Sequence, residues 1–205
     1  MCARANRPAM GIATKESAHN KRLYLTFLDS FGGDPGALEK AAETLFSAEA
    51  AINASHPVNE ARAGDGYITD IIAPIMAAFA GCTRQNYVVI GGDYLGTEWV
   101  PSTGSFHGHF TQPLFGIPPS GKLEFLRFGE FHRMEAGRIV ETHVYLGLAE
   151  LIISLGLWPL ADSQGYEGVV PGPATHDGIV AAASDPARSR GRDDQRPHSN
   201  DAGEQ

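Results

Sequence analysis

The sequence predicts an α+β fold, with helices packed on an antiparallel sheet, and three observations carry that expectation. Apolar residues recur at helical spacing over roughly the first eighty positions, then give way to alternating runs punctuated by Gly and Pro. Helices and strands are segregated along the chain instead of alternating, which disfavours a parallel βαβ arrangement. Finally, 205 residues with 42% hydrophobic and 20% charged content suit one domain with a proper core and some extra segments.

Residues 1–15 are polar and Ala-rich and are expected to be a disordered leader. "ESAHNKRLYLTFLDSFGG" places Leu23, Phe27, Leu28 and Phe31 at helical spacing, with Gly32 and Gly33 as the stop. Asp34 as N-cap and Pro35 at the first helical position open a second helix, "GALEKAAETLF". "AINASHPVNEARAGDG" reads as a short strand and loop, and "YITDIIAPIMAAFAG" as a third helix kinked at Pro74 and ended by Gly81. After Cys82, "NYVVIGGDYLGTEWV" and "GSFHGHFTQPLFGIPPSG" read as strands broken by Gly- and Pro-rich turns. "KLEFLRFGEFHRM" and "RIVETHVYLGL" alternate around a turn at Ala136–Gly137. A short apolar helix, "AELIISLGLWPL", closes the domain, stopped by Gly156 and Pro159. The domain thus spans 16–160; residues 161–205 are first Gly/Pro-rich and then charged, and are expected to be irregular and disordered.

The formal net charge of −8 argues against nucleic acid or an anionic membrane as partner. No apolar run has the length of a membrane span, and the N-terminus lacks an apolar signal region, so a cytoplasmic protein is expected. Two cysteines, Cys2 and Cys82, make no disulfide framework.

The stretches "SHP" (55–57), "EWV" (98–100), "FGIPPSG" (115–121), "GEFHRMEAGRIVE" (129–141) and "LIISLG" (151–156) occur in an order and spacing that resembles the SnoaL-like polyketide cyclase branch of the nuclear transport factor 2 superfamily. The resemblance covers roughly residues 17–160. It implies a cone in which helices and a curved sheet enclose a pocket, a homodimer, and no cofactor or metal. In the cyclases of this branch a His seven residues before the hairpin glycine and an Asp seven after it do the chemistry. With Gly137 as that glycine, those positions are Glu130 and Val144. A valine cannot move a proton, so the resemblance carries the fold and the pocket but not that aldol chemistry.

The hairpin itself sets which side chains meet. A two-residue turn at Ala136–Gly137 would pair His132 with Glu141 and Glu130 with His143. A three-residue loop would instead put Phe128, Glu130, His132, Met134, Val140, Thr142, Val144 and Leu146 on one face, with Glu141, His143 and Tyr145 on the other. The family pattern selects the second register. Glu130 and His132 then stand about 7 Å apart in an apolar wall, a pairing suited to general acid/base work with Glu130 as the main base and His132 as the partner that polarises or orients; a buried structural hydrogen bond is the competing reading. Glu141 and His143 would face the side of the sheet where this fold dimerises.

His56, held by the following proline, is expected either at the pocket mouth as a third catalytic group or in a surface loop. His107 and His109 share one strand face and could ligate zinc only with a third group, for which His132 is the obvious choice; a polar pocket lining is the reading adopted, with no metal. Trp99, Phe128 and Val144 complete the expected substrate-binding wall. In the tail, "GPATHDG" (172–178), with His176 and Asp177, is either linker or a lid. The expectation is a cofactor-free acid/base enzyme acting on a hydrophobic, oxygenated small molecule by cyclisation, isomerisation or hydrolytic ring opening. The alternative is a non-catalytic binding, carrier or dimeric interaction protein of the same fold.

Overall fold

The structure, a computed structural model, describes residues 14–32 and 35–161. The expected N-cap at Asp34, the leader before Thr14 and the 172–178 segment lie outside the described residues. Among those residues no helix is long and apolar enough to cross a membrane.

Helix α1 (Lys15–Asp29) starts at a capping box between Thr14 and Ser17. Its buried stripe is Ser17, Asn20, Tyr24 and Phe27, not the purely apolar line expected from Leu23, Phe27, Leu28 and Phe31. A single 3₁₀ turn (Ser30–Gly32) leads towards α2 (Pro35–Leu45). Strand β1 (Phe46–Ala54) follows α2 without a break, so the strand expected near residue 51 begins five residues earlier. After β2 (Glu60–Arg62), the expected third helix is a composite. It comprises α3 (Ala63–Tyr67), a π-helical turn (Ile68–Ile72) and α4 (Ala73–Ala78). Pro74 sits in the first turn of α4, where its missing N–H breaks the regular hydrogen-bond ladder and the backbone slips to wider π spacing. The helix ends at Ala78, three residues before Gly81, because β3 (Phe79–Val89) has already begun.

The sheet is completed by β4 (Gly92–Tyr94), β5 (Thr97–Phe110), β6 (Leu123–Glu135) and β7 (Arg138–Leu146). Its order is β2-β1-β7-β6-β5-β3, with β4 also on β5. All pairings are antiparallel except β1 with β7, so the sheet is mixed and not purely antiparallel. Helix α5 (Leu148–Ser154) closes with Gly156 at φ 69° and bonds from Gly156 N to Ile153 O and Leu157 N to Ile152 O, a Schellman stop. The helices cover one face of the sheet, and the core lies between, from Tyr24, Phe27 and Phe46 through Ile71 and Ile75 to Phe106, Phe110 and Phe128.

The β6–β7 hairpin combines the two expected registers. Its turn has two residues, Ala136 and Gly137, both left-handed at φ 48° and 74°. Glu135 pairs with Arg138 and Met134 with Ile139, but Arg133 pairs with Glu141. Val140 is therefore bulged out, and the extra residue shifts the parity of everything beyond it. Glu130 lies opposite Val144 and His132 opposite Thr142, as the three-residue loop would have it. The bulge also makes Ile139, not Val140, the buried residue at this end of the strand.

Candidate functional site

At the centre of the helix-facing side, five elements bring polar side chains onto one carboxylate. Glu130, 1% exposed, projects inward from the middle of β6. Arg84 comes from the edge strand β3, its backbone partly accessible but its side chain 1% exposed. The guanidinium grips the carboxylate with both ends, Nη2 to Oε2 at 2.6 Å and Nη1 to Oε1 at 3.2 Å. Tyr24 from α1 donates to Oε2 at 2.8 Å, and Tyr67 from α3 donates to Oε1 at 2.7 Å. Ser102 of β5 sits 2.9 Å from the Tyr24 hydroxyl and 3.4 Å from Oε2. Three aromatic rings enclose the guanidinium carbon, with centroids at 4.7 Å for Phe31, 5.3 Å for Phe106 and 4.1 Å for Phe128.

The electrostatics follow from this packing. Burial pushes the Glu130 carboxyl up, but Arg84, helped by His132, overrides it and holds the group well below the usual carboxylate range. Burial works against the Arg84 charge too, and the Glu130 carboxylate more than restores it. Tyr24 and Tyr67 are pushed up, first by burial and then by the adjacent carboxylate. Glu130 is thus a fixed negative charge with its lone pairs already engaged, which departs from the freely titrating base that its place in an apolar wall suggested.

His132 is the open member of the group. Fully buried, it holds Thr142 Oγ1 at 3.0 Å through Nδ1. Its Nε2 lies 3.4 Å from Glu130 Oε2, close enough to feel the charge, yet makes no hydrogen bond. The Tyr24 ring lies against the imidazole at 4.6 Å between centroids, with Phe46 and Tyr67 on its other sides.

The remaining sequence-derived candidates separate. Phe128 and Val144 are buried on the same face as Glu130, as expected. His56 is exposed in the loop after β1. Trp99, His107 and His109 occupy odd positions of β5, whereas the inward positions are even, from Val100 to Phe110. They therefore lie on the opposite face, and His107 and His109 cannot share an ion with His132. His107 stacks on Phe125 at 5.6 Å, and His109 is exposed. Among the described residues no cluster of three or more His, Cys, Asp or Glu is arranged to hold a metal. Trp99 instead joins Tyr94, Pro101, Phe131, His143 and Tyr145 around an apolar hollow of about 520 Å³ on the outer face. Glu141 and His143 lie on this outer side, bonded to each other at 2.9 Å, with Arg133 on Glu141 at 2.8 Å.

Tyr24, Tyr67, Arg84 and Ser102 were not singled out by the sequence, and Thr142 was placed on the inward face without a role. A signal existed for Arg84, a lone cation at an alternating strand position flanked by smaller residues, and for Tyr24, which falls on the buried stripe three residues before Phe27.

The chain matches solved structures over nearly their whole length. IdmH of Streptomyces antibioticus, a candidate polyketide cyclase, aligns with a TM-score of 0.54 at 18% identity, over 67% of this chain and 98% of that one. AclR of Streptomyces galilaeus, a candidate hydroxylase, gives 0.56 at 17%, over 71% and 90%. A candidate SnoaL-like polyketide cyclase from Jannaschia sp. CCS1 gives 0.55 at 14%, over 77% and 99%. The fold is that of the SnoaL-like, nuclear-transport-factor-2-like proteins. At these identities the likeness establishes the SnoaL-like fold alone, a fold that serves unrelated functions. No family profile matches the chain, and no curated protein matches it.

Proposed function

We propose that the protein is a cofactor-free acid/base enzyme that acts in the cytoplasm on a hydrophobic, oxygenated small molecule, with His132 as the proton-transferring group and Glu130 as its fixed counter-charge. The observation that carries this reading is the buried, unbonded Nε2 of His132 beside a carboxylate that Arg84 keeps ionised. Buried polar groups are almost always satisfied, and an exception is a functional pointer. In the tautomer with its proton on Nδ1, His132 donates to Thr142 Oγ1, and the Nε2 lone pair is left to take a proton from a substrate carbon next to a carbonyl. The imidazolium so formed lies against Glu130, whose charge stabilises it as a carboxylate stabilises the histidine of a catalytic triad. The proton then goes to the far carbon of a conjugated dienolate, giving isomerisation, or to the alkoxide left when the enolate carbon bonds to a second carbonyl carbon of the substrate and opens its C=O π bond, giving ring closure.

The reading is tested by deuterium uptake from D₂O into the carbons flanking the ketone of 2-tetralone, a small hydrophobic carbonyl compound. Wild-type protein should accelerate exchange over buffer, and His132→Gln should remove the acceleration while retaining a folded thermal transition. Equal rates for wild type and His132→Gln would sink the assignment.

A second reading has its own support. Four rings packed into the core beside the network, Phe27, Phe46, Phe106 and Phe128, are all buried, which supports a non-catalytic binding or interaction domain. On either reading a second copy of this chain is the partner proposed for the outer face, because Phe131 and Tyr145 expose large apolar surface there.

A further inference from the structure

Asn20 is 1% exposed, yet neither its side-chain nitrogen nor its side-chain oxygen has a hydrogen-bond partner. It lies within α1, where asparagine is a poor helix former. An alanine or leucine there would favour the helix and bury no unpaired amide. The residue is thus unexplained by stability.

Its position follows from its neighbours on the same stripe. Three residues earlier, Ser17 donates to Glu98 of β5 at 2.7 Å. Four residues later, Tyr24 bonds Ser102 of β5 at 2.9 Å and Glu130 of β6 at 2.8 Å. Helix and strand run in the same direction between these two anchors. Asn20 therefore stands level with the strand position between them, Val100, whose partner on β6 is His132. Two buried polar groups without a hydrogen bond, the Asn20 amide and His132 Nε2, fall at one level of the same interior.

We propose that Asn20 is a substrate-binding residue that reads a hydroxyl group, the enol or phenol oxygen of the ligand, beside His132. The amide offers one kind of each partner, N–H donors and a carbonyl acceptor, and its complement must both give and accept. A hydroxyl does so; a carbonyl oxygen only accepts, and a hydrocarbon does neither. This rests on the enzyme reading and narrows its substrate class to one that carries or forms an O–H next to the reacting carbon. A buried water offers the same chemistry, and the test separates the two sources.

The test uses full-length, ¹⁵N-labelled protein and two probes of similar shape, 2-naphthol and 2-methylnaphthalene. 2-Naphthol should shift the Asn20 side-chain amide and the His132 imidazole signals and bind at least tenfold more tightly than 2-methylnaphthalene. Asn20→Leu should raise the melting temperature of the free protein and erase that preference, and Asn20→Ala should erase it as well. Tight but equal binding of the two probes, or a preference that survives in both variants, would overturn the assignment and leave water as the amide's partner. Absence of interior binding by either probe would overturn it together with the enzyme reading.

Discussion

Glu130 shows how far its surroundings decide what a carboxylate does. Alone in an apolar wall it would be pushed up towards neutrality; with Arg84 beside it, it stays ionised at any ordinary pH. Glu130→Gln would leave the buried guanidinium without its counter-charge, and such half-pairs cost about 3–5 kcal/mol. The expected outcome is that loss in chemical denaturation, whereas a double Arg84→Met, Glu130→Met swap should lose clearly less. A double variant that loses more than Glu130→Gln would mean that the ion pair is worth more than the cost of dehydrating it. The pH dependence has a definite sign. The folded value lies below the unfolded one, so the stabilisation is full above the ordinary carboxylate range near 4.5 and is lost as pH falls through the folded value. Melting temperature should therefore decline steadily below about pH 4, and the decline should be much shallower in Glu130→Gln.

Strand β5 shows how one element seats another. A Cβ added to Gly104 would stand 2.0 Å from the backbone oxygen of Gln85 and 2.8 Å from the Phe128 ring, so β3 can pair with β5 only because this residue has no side chain. Gly104→Ala should force β3 away, carry Arg84 off Glu130 and destabilise by on the order of 3 kcal/mol. Gly129, one strand over, meets nothing within 4 Å, and Gly129→Ala should be neutral or slightly stabilising in the same melt. Elements of this kind were unevenly legible in the sequence. Periodicity revealed the order of helices and strands, and the pairing of Glu130 and His132 on one inward face followed from alternation. The bulge at Val140 was not readable, because one extra residue in a strand leaves no compositional mark; the family pattern supplied the right parity without its cause. The Arg84 partner was hidden for a different reason. It lies 46 residues from Glu130 on a strand that is not even adjacent, and only the sheet order brings the two together. His107 and His109 misled because their shared face was visible in the sequence while its direction was not.

At the scale of the whole molecule, the sheet is covered by helices on one side and presents aromatic rings on the other. Phe131 is 43% and Tyr145 58% exposed, edge to face at 6.1 Å, beside the Trp99 hollow. If a second copy covers this face, Phe131→Glu should convert a dimer to a monomer in sedimentation velocity without lowering helix content. An unchanged sedimentation coefficient would place the contact elsewhere. The buried network has a consequence of its own. It ties α1, α3, β3, β5 and β6 to one carboxylate, and β3 is the edge of its end of the sheet. Edge strands ordinarily fray on their own, exchanging their amide hydrogens through small local openings. Here the end of the sheet cannot peel back without withdrawing a charge from its partner in the interior. Amides around Arg84 should exchange as slowly as those at the centre of β6, through global opening, and should return to fast local exchange in Glu130→Gln. The edge of this sheet is thus bound to the cooperative unit by one ion pair.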